Sequence, residues 1–231
     1  MFSKIVKAVA LASILTGAVQ AQDVVVTVIN NTSGSSFTPL LITTHARNVK
    51  LFEVGEEASF SLQAMAEGGN IAHLVEDLQA ENAIIRENPA EGLLNPGEKT
   101  KTHIIRNKDH RFLSIVGMIL PTNDGFVALN NWRIPRYRGT YTIELNAYDA
   151  GTEGNDEIIN GAGAPGEAGI PADPNGNGGT GAAGIEAEAE GFVHIHRGIV
   201  GDLEKEGGVS DLDASRHRWN NPIATVIVKV R

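Results

Sequence analysis

Short apolar and β-branched stretches, separated by turn residues, recur along the chain. They predict strands at residues 23–29, 40–44, 100–105, 112–120, 140–145, 192–195 and 224–230. Residues 140–145 alternate between apolar and polar side chains, as a half-buried strand does, whereas residues 112–120 are almost continuously apolar, as a fully buried strand is. Six to eight short strands with little helix favour an all-β fold, an antiparallel sandwich or barrel, over alternating βαβ units.

The periodicity changes between residues 62 and 87. Apolar residues such as Leu62, Met65, Leu74 and Leu78 are spaced there at threes and fours, and Gly68-Gly69-Asn70 interrupts the pattern. This spacing predicts one or two short helices.

Residues 151–191 have a different composition from the rest of the chain. They contain 12 of the 26 glycines and eight acidic residues but no Lys or Arg, so they carry almost all of the net charge of −9. Glycine loses much conformational entropy on ordering, and these side chains offer little to bury. We therefore expect residues 22–231 to form a single domain that contains a long, flexible, Gly-rich and acidic insert at residues 151–191.

The N-terminus has the features of a secretory signal. Lys4 and Lys7 precede an apolar stretch over residues 8–19, and small residues end at Ala21. The sequence thus predicts a signal peptide over residues 1–21 and an exported protein, either periplasmic or secreted. The apolar stretch is too short to cross a bilayer, so no membrane span is expected.

Composition and motifs narrow the function classes. The chain has no cysteine, so any metal must be bound by oxygen or imidazole ligands. No basic stripe accompanies the negative net charge, which argues against a nucleic-acid partner. No P-loop, GxSxG or HExxH motif is present, and we expect a protein that is not an enzyme.

Two acidic turns follow predicted strands. Asp124 lies in the turn after residues 112–120, and Asp149, Glu153 and Asp156 lie in the turn after the alternating strand. Loops cluster at the two poles of a sandwich, so these turns can converge, and converging carboxylates suit Ca²⁺. The alternative is that Asn-Asp-Gly and Asp-Ala-Gly simply form good turns.

A family resemblance strengthens the calcium hypothesis. The segment 112–127, the Tyr-Asp-Ala-Gly-Thr box at residues 148–152, the closing segment 219–226 and the turn at residues 37–39 resemble the spondin N-terminal domain family. The resemblance implies a C2-like β-sandwich that binds Ca²⁺ at one pole and mediates matrix or cell-surface contacts. It also implies that Asp124 and Asp149 are the calcium ligands.

The chain departs from the family pattern at two positions. Animal members have a Trp after the first aspartate, where this chain has Gly125, and the position of their third acidic ligand corresponds to Ile105. Asp109 is the acid nearest to that position, and Glu153 and Asp156 are further candidates for the missing oxygens.

Histidines suggest a different metal site. His194 and His196 are two residues apart on a predicted strand, so both side chains leave the same face, and His45 could join them from another strand. Such a cluster suits Zn²⁺ or Cu²⁺.

The preferred hypothesis is an exported calcium-binding, non-enzymatic recognition or adhesion module of the spondin type, whose partner is an unknown protein or glycan at a surface. The alternative hypothesis is a periplasmic Cu- or Zn-dependent enzyme or metal-handling protein that uses the His-x-His pair. Neither hypothesis indicates an oligomeric state.

Overall fold

A computed structural model describes residues 22–176 and 178–231, so the predicted signal peptide lies outside the described residues. The two helices are α1 (Phe60–Gly68) and α2 (Ala72–Ala80). The strands of the described part are β1 (Gln22–Asn30), β2 (Ser36–Phe37), β3 (Leu41–His45), β4 (Ile84–Glu87), β5 (Lys99–Arg106), β6 (Phe112–Leu120), β7 (Gly125–Arg133), β8 (Gly139–Asp149), β9 (His194–Ile195) and β10 (Ala224–Val230).

The strands form one antiparallel sheet that curls back on itself. Its order is β4-β3-β6-β7-β8-β10-β1-β5, with β2 added to β6 and β9 added to β8. The edge strands β4 and β5 approach each other, and Nε of Arg86 donates a hydrogen bond of 2.9 Å to the carbonyl of His103. The sheet is therefore nearly closed, and the predicted all-β fold with two short helices is confirmed.

The main core lies inside this curled sheet. Val24, Val26 and Val28 of β1 are fully buried there, because alternate residues of a strand face the same side. They pack with residues from β3, β6 and β10 in one cluster. A second cluster lies on the outer face of β6 and β7, where the two helices cover it. Strand β6 is buried on both faces, which explains its continuous apolar sequence.

The helices begin and end where the sequence indicates. Oγ of Ser59 accepts a hydrogen bond of 3.2 Å from the backbone N–H of Leu62 and caps α1. Gly69 ends α1 with φ 67°, a left-handed conformation that glycine adopts without strain. The prediction of a break at Gly68-Gly69-Asn70 is confirmed.

Strands β2, β4 and β7 were not predicted. Strand β7 begins directly after the acidic turn. It is buried at its start and more exposed toward its end, so apolar and polar residues do not alternate clearly along it. Strand β4 has only four residues, and its Ile84 fits the helical spacing that precedes it.

The described residues of the Gly-rich segment 151–191 form no helix or strand, but several of them bury their side chains. Ile170 is fully buried and packs with Ile199 and Leu212 in a third apolar cluster. Glu157 is also buried and accepts hydrogen bonds from residues 200, 201 and 210. The expectation that this segment buries almost nothing is wrong, because residues 198–213 form a second loop that packs against it.

Within the described part of the chain, neither helix is long and apolar enough to cross a membrane.

Candidate metal centre

The turn between β6 and β7 presents Asp124 at one pole of the sheet. Oγ1 of Thr122 donates to the carbonyl of Ile119 at 2.6 Å and accepts from the backbone N–H of Gly125 at 3.0 Å. These bonds close the turn on itself. Asp124 is fully buried between them and the loop that follows β8.

The two carboxylate oxygens of Asp124 have different surroundings. Oδ2 accepts hydrogen bonds from the backbone N–H groups of Thr152, at 2.8 Å, and Glu153, at 3.1 Å, and from the Thr152 hydroxyl at 3.2 Å. Oδ1 is buried and has no hydrogen-bond partner. A buried carboxylate oxygen without a partner is costly, so this atom marks a place for a ligand.

Asp149 lies beside this turn at the end of β8. The strand register aligns it with Gly125 on one side and with His194 on the other. Its side chain is almost completely buried, with Oδ1 accepting from the N–H of Gly151 and Oδ2 from the amide of Asn155, both at 2.8 Å. The structure thus brings together Asp124 and Asp149, the two predicted calcium ligands.

The proximity of the two aspartates changes their electrostatics. Burial and, next, the charge of Asp149 raise the pKa of Asp124 to about 8. The hydrogen bonds from residues 152 and 153 oppose this shift without cancelling it. A cation beside Oδ1 would remove the repulsion and keep both groups ionised.

His194 adds an imidazole to the same site. Its Nε2 lies 3.6 Å from Oδ1 of Asp149 and 3.5 Å from Oε1 of Glu190. Its Nδ1 lies 2.9 Å from the carbonyl of Ile195, which can only accept, so Nδ1 carries the proton. Nε2 of the neutral ring therefore keeps its lone pair, and it has no hydrogen-bond partner. Asp149, Glu190 and His194 each offer one ligand atom, and these three atoms lie within 4.8 Å of one another.

His196 has the opposite tautomer. Its Nδ1 accepts a hydrogen bond of 3.0 Å from the N–H of Gly198, so Nε2 carries the proton in the neutral ring. Burial lowers the pKa of His196, which keeps the ring neutral. Its Nε2 lies 4.0 Å from Oδ2 of Asp149. At this distance His196 makes no hydrogen bond to Asp149, and its Nε2 has no other partner among the described residues. In these tautomers His194, rather than His196, presents a free Nε2 lone pair to the site.

An open space of about 210 Å³ adjoins these side chains. Asp149, Glu190, His194 and His196 line it, together with Asn155 and residues 185–187. It is large enough for an ion with bound water.

Glu153 and Asp156 do not line this space. Oε2 of Glu153 accepts from the N–H of Gly169 at 2.9 Å, and Oδ1 of Asp156 accepts from the amide of Asn123 at 2.8 Å. Burial raises the pKa of Glu153 to about 7. Both acids hold the beginning of the Gly-rich segment in place, and the structure gives neither of them a contact with Asp149.

The remaining candidates lie at the opposite pole. Asp109 precedes β6, and the nine residues of β6 extend over roughly 26 Å to the turn that carries Asp124. His45 ends β3 at the same pole as Asp109, and both its ring nitrogens are occupied, by Ser114 Oγ and the Ala46 carbonyl, each at 2.8 Å. The structure does not bring Asp109 or His45 to the aspartates.

Glu190 was not among the predicted ligands, because the sequence places it at the far end of the Gly-rich segment, away from both acidic turns. The available signal was its position four residues before His194, next to the predicted strand.

Comparison with known families agrees with the resemblance noted in the sequence. A family model of the spondin N-terminal domain matches residues 30–157, more than half of the chain. The match includes both acidic turns and ends within the second; the similar segment 219–226 lies outside it. A search among curated proteins finds no match. The chain belongs to the spondin N-terminal domain family.

Proposed function

We propose that the protein is an exported, metal-dependent, non-enzymatic recognition module. A divalent cation between Asp124 and Asp149 would tie the β6–β7 turn to the loop after β8. The observation that carries the proposal is the partnerless, buried Oδ1 of Asp124 next to a second buried carboxylate. An arrangement of this kind is unfavourable without a cation and favourable with one.

Calcium is the cation that the family resemblance implies, and the aspartates suit it. Ca²⁺ takes six to eight oxygen ligands in flexible geometry. Asp149 and Glu190 offer carboxylate oxygens to the adjoining space, which leaves room for water to complete the shell. Oδ1 of Asp124, beside Asp149, would supply a further oxygen.

A transition metal is the second candidate. Imidazole suits Zn²⁺ and Cu²⁺ far better than Ca²⁺, and the cluster of Asp149, Glu190 and His194 contains one available imidazole nitrogen. This cluster supports the alternative function, a Zn- or Cu-dependent enzyme or metal-handling protein, with His194 rather than both histidines as the ligand.

The surroundings of the site favour recognition. Phe192 and Ile195, on either side of His194, are 43% and 44% exposed, and Val54 on a neighbouring loop is 56% exposed. The N–H of Gly55 donates to the carbonyl of Val193 and joins that loop to this segment. A cation at the pole would thus fix a surface that presents apolar side chains to a partner.

Thermal unfolding of metal-stripped protein tests both proposals. Saturating Ca²⁺, at about 100 times its dissociation constant, stabilises the folded state by about 2.7 kcal/mol and raises Tm by roughly 5–10 °C. We expect Asp124→Asn and Asp149→Asn to abolish this increment, whereas the exposed Glu188→Gln keeps it. The readout is the rise in Tm on adding Ca²⁺ rather than Tm itself, because removing a buried charge also changes the Tm of the metal-free protein.

The same measurement separates the two metals. If Ca²⁺ is the ligand, His194→Gln keeps most of the Ca²⁺ increment. If Zn²⁺ or Cu²⁺ is the ligand, elemental analysis finds it in stoichiometric amount in the wild-type protein and not in His194→Gln. A Tm that neither EDTA nor any of these metals changes would contradict the proposed function.

A further inference from the structure

A second cleft lies at the pole opposite the aspartates. It has a volume of about 650 Å³ and is lined by Arg47, Lys108, Asp109, Arg111, Phe112 and Arg133. Its residues come from the end of β3, the β5–β6 turn, the start of β6 and the end of β7. Phe112 and Arg133 are direct partners across β6 and β7. Three neighbouring strands therefore hold one cluster of positive charge.

The charges of this cleft are not balanced within the protein. Four cationic side chains meet a single acid, Asp109. Among the described residues, none of the four cations has a carboxylate within 4.0 Å. Like charges held together without a counter-charge repel, so an anion bound between them would be stabilised by all four.

Arg111 is already oriented. Its Nε donates a hydrogen bond of 2.7 Å to the carbonyl of Lys108, and Oδ1 of Asn107 accepts from the N–H groups of Asp109 and His110, at 2.8 and 3.1 Å. These bonds fix the turn and leave the two terminal nitrogens of Arg111 available. A guanidinium held in this way binds the oxygens of phosphate or sulfate in pairs, and it loses little entropy on binding.

Phe112 gives the cleft an apolar side. It is half-buried and stacks on His45, with ring centroids 6.5 Å apart. A ligand that combines a charged group with an organic body would contact both the cations and this ring. The size of the cleft is in the usual range for small-molecule sites.

We infer that this cleft binds an organic phosphate or sulfate ester, with the anionic group among the cations and the organic body against Phe112. Four cations line this one cleft on a chain with a net charge of −9, and a compact cleft suits a single anionic group better than a long polyanion such as duplex DNA. The inference is independent of the metal site, which lies at the other end of β6.

Calorimetric titration of the purified protein with inorganic sulfate and with a heparin-derived tetrasaccharide tests the inference. We expect both to bind in 50 mM NaCl and to bind more weakly in 200 mM NaCl, and we expect the tetrasaccharide to bind more tightly than sulfate. Arg47→Gln with Arg133→Gln should weaken tetrasaccharide binding at least tenfold. Arg47→Lys should weaken it less, because it keeps the charge and loses only the paired contacts.

Lys205→Gln is the matched control, since Lys205 is an exposed cation outside the cleft, and it should leave affinity unchanged. Four results would each overturn the inference. Two concern the variants: Lys205→Gln weakens binding as much as the double variant does, or the double variant binds as tightly as the wild-type protein. Two concern the probes: a desulfated tetrasaccharide binds as tightly as the sulfated one, or neither sulfate nor the tetrasaccharide binds. Tighter binding of a DNA duplex than of the tetrasaccharide would overturn it in favour of a nucleic-acid site. Unchanged Tm in every variant shows that the fold is intact.

Discussion

The imidazole of His196 occupies the space that a side chain at Gly125 would need. A Cβ added to Gly125 would lie 3.0 Å from Cδ2 of His196 and 2.7 Å from Oγ1 of Thr122. Any side chain at this position would therefore force Thr122 or His196 to move.

Gly125→Ala is therefore expected to destabilise the metal pole. Overpacking of this kind costs about 1–3 kcal/mol, which for a domain of this size lowers Tm by roughly 2–10 °C. The variant should also lose metal-induced stabilisation, because Thr122 and Asp124 belong to the same turn. Gly178→Ala, where an added Cβ meets nothing within 4 Å, is the control for thermal melts. A Tm equal to that of the control would contradict the packing described here.

Gly68→Ala tests how closely the Gly-rich segment packs on α1. Alanine in a helix is normally more favourable than glycine by about 1 kcal/mol, so helix propensity alone predicts a more stable protein. Here an added Cβ would overlap the carbonyl oxygen of Gly163, and we expect Tm to fall.

Limited proteolysis of the Gly68→Ala variant should then cut within residues 151–191 faster than in the wild-type protein. Glu76→Ala, at an exposed position of α2, is the control and should change stability by less than about 0.5 kcal/mol. An increase in Tm for Gly68→Ala would show that the close approach to Gly163 does not exist.

Glu157→Gln tests the link between the Gly-rich segment and the loop that packs on it. The carboxylate of Glu157 accepts from the N–H groups of Val200 and Gly201, at 2.6 and 2.8 Å, and from the hydroxyl of Ser210 at 2.5 Å. The amide of glutamine has the same shape but turns one acceptor into a donor. We expect a loss of about 1–3 kcal/mol in chemical denaturation. The exposed Glu188→Gln should be neutral, and equal stabilities of the two variants would refute the link.

The stability of the protein is expected to fall as His45 is protonated in the unfolded chain. Burial lowers the pKa of His45 below its usual 6.5, with the backbone of Ala46 opposing the shift and the charge of His110 adding to it. At pH values between the folded-state pKa and 6.5, the unfolded chain therefore binds more protons at His45 than the folded protein does. The contribution of His45 to stability is thus complete above pH 6.5 and decreases below it. Each unit of lowering corresponds to about 1.4 kcal/mol.

An NMR titration of the His45 ring measures this directly. A midpoint below 6.5, together with a Tm that decreases between pH 7 and pH 5, is the expected result. A midpoint at or above 6.5 would contradict the burial of this ring, which is the main cause of the lowered pKa.

The fold class and half of the candidate metal site could be predicted from the sequence. The alternation of β8 and the apolar run of β6 follow directly from which faces the core covers, so both strands were predictable. Asp124 and Asp149 were predictable because each follows such a strand. Glu190 was not, since its approach to His194 depends on how a long segment without periodicity folds back. The roles of His194 and His196 also could not be separated, because they depend on which backbone group each Nδ1 meets.

Strand β10 lies between β8 and β1 in the sheet, although about 190 residues separate β10 from β1 along the chain. During synthesis β1 can pair with β5 before residues 224–230 have been made. Until β10 forms, the other edge of β1 and one edge of β8 have no strand to pair with. Open edges of this kind are sites of intermolecular pairing. Loss of these seven residues would remove an interior strand rather than a tail, so the protein should tolerate C-terminal truncation poorly and should aggregate if synthesis stops early.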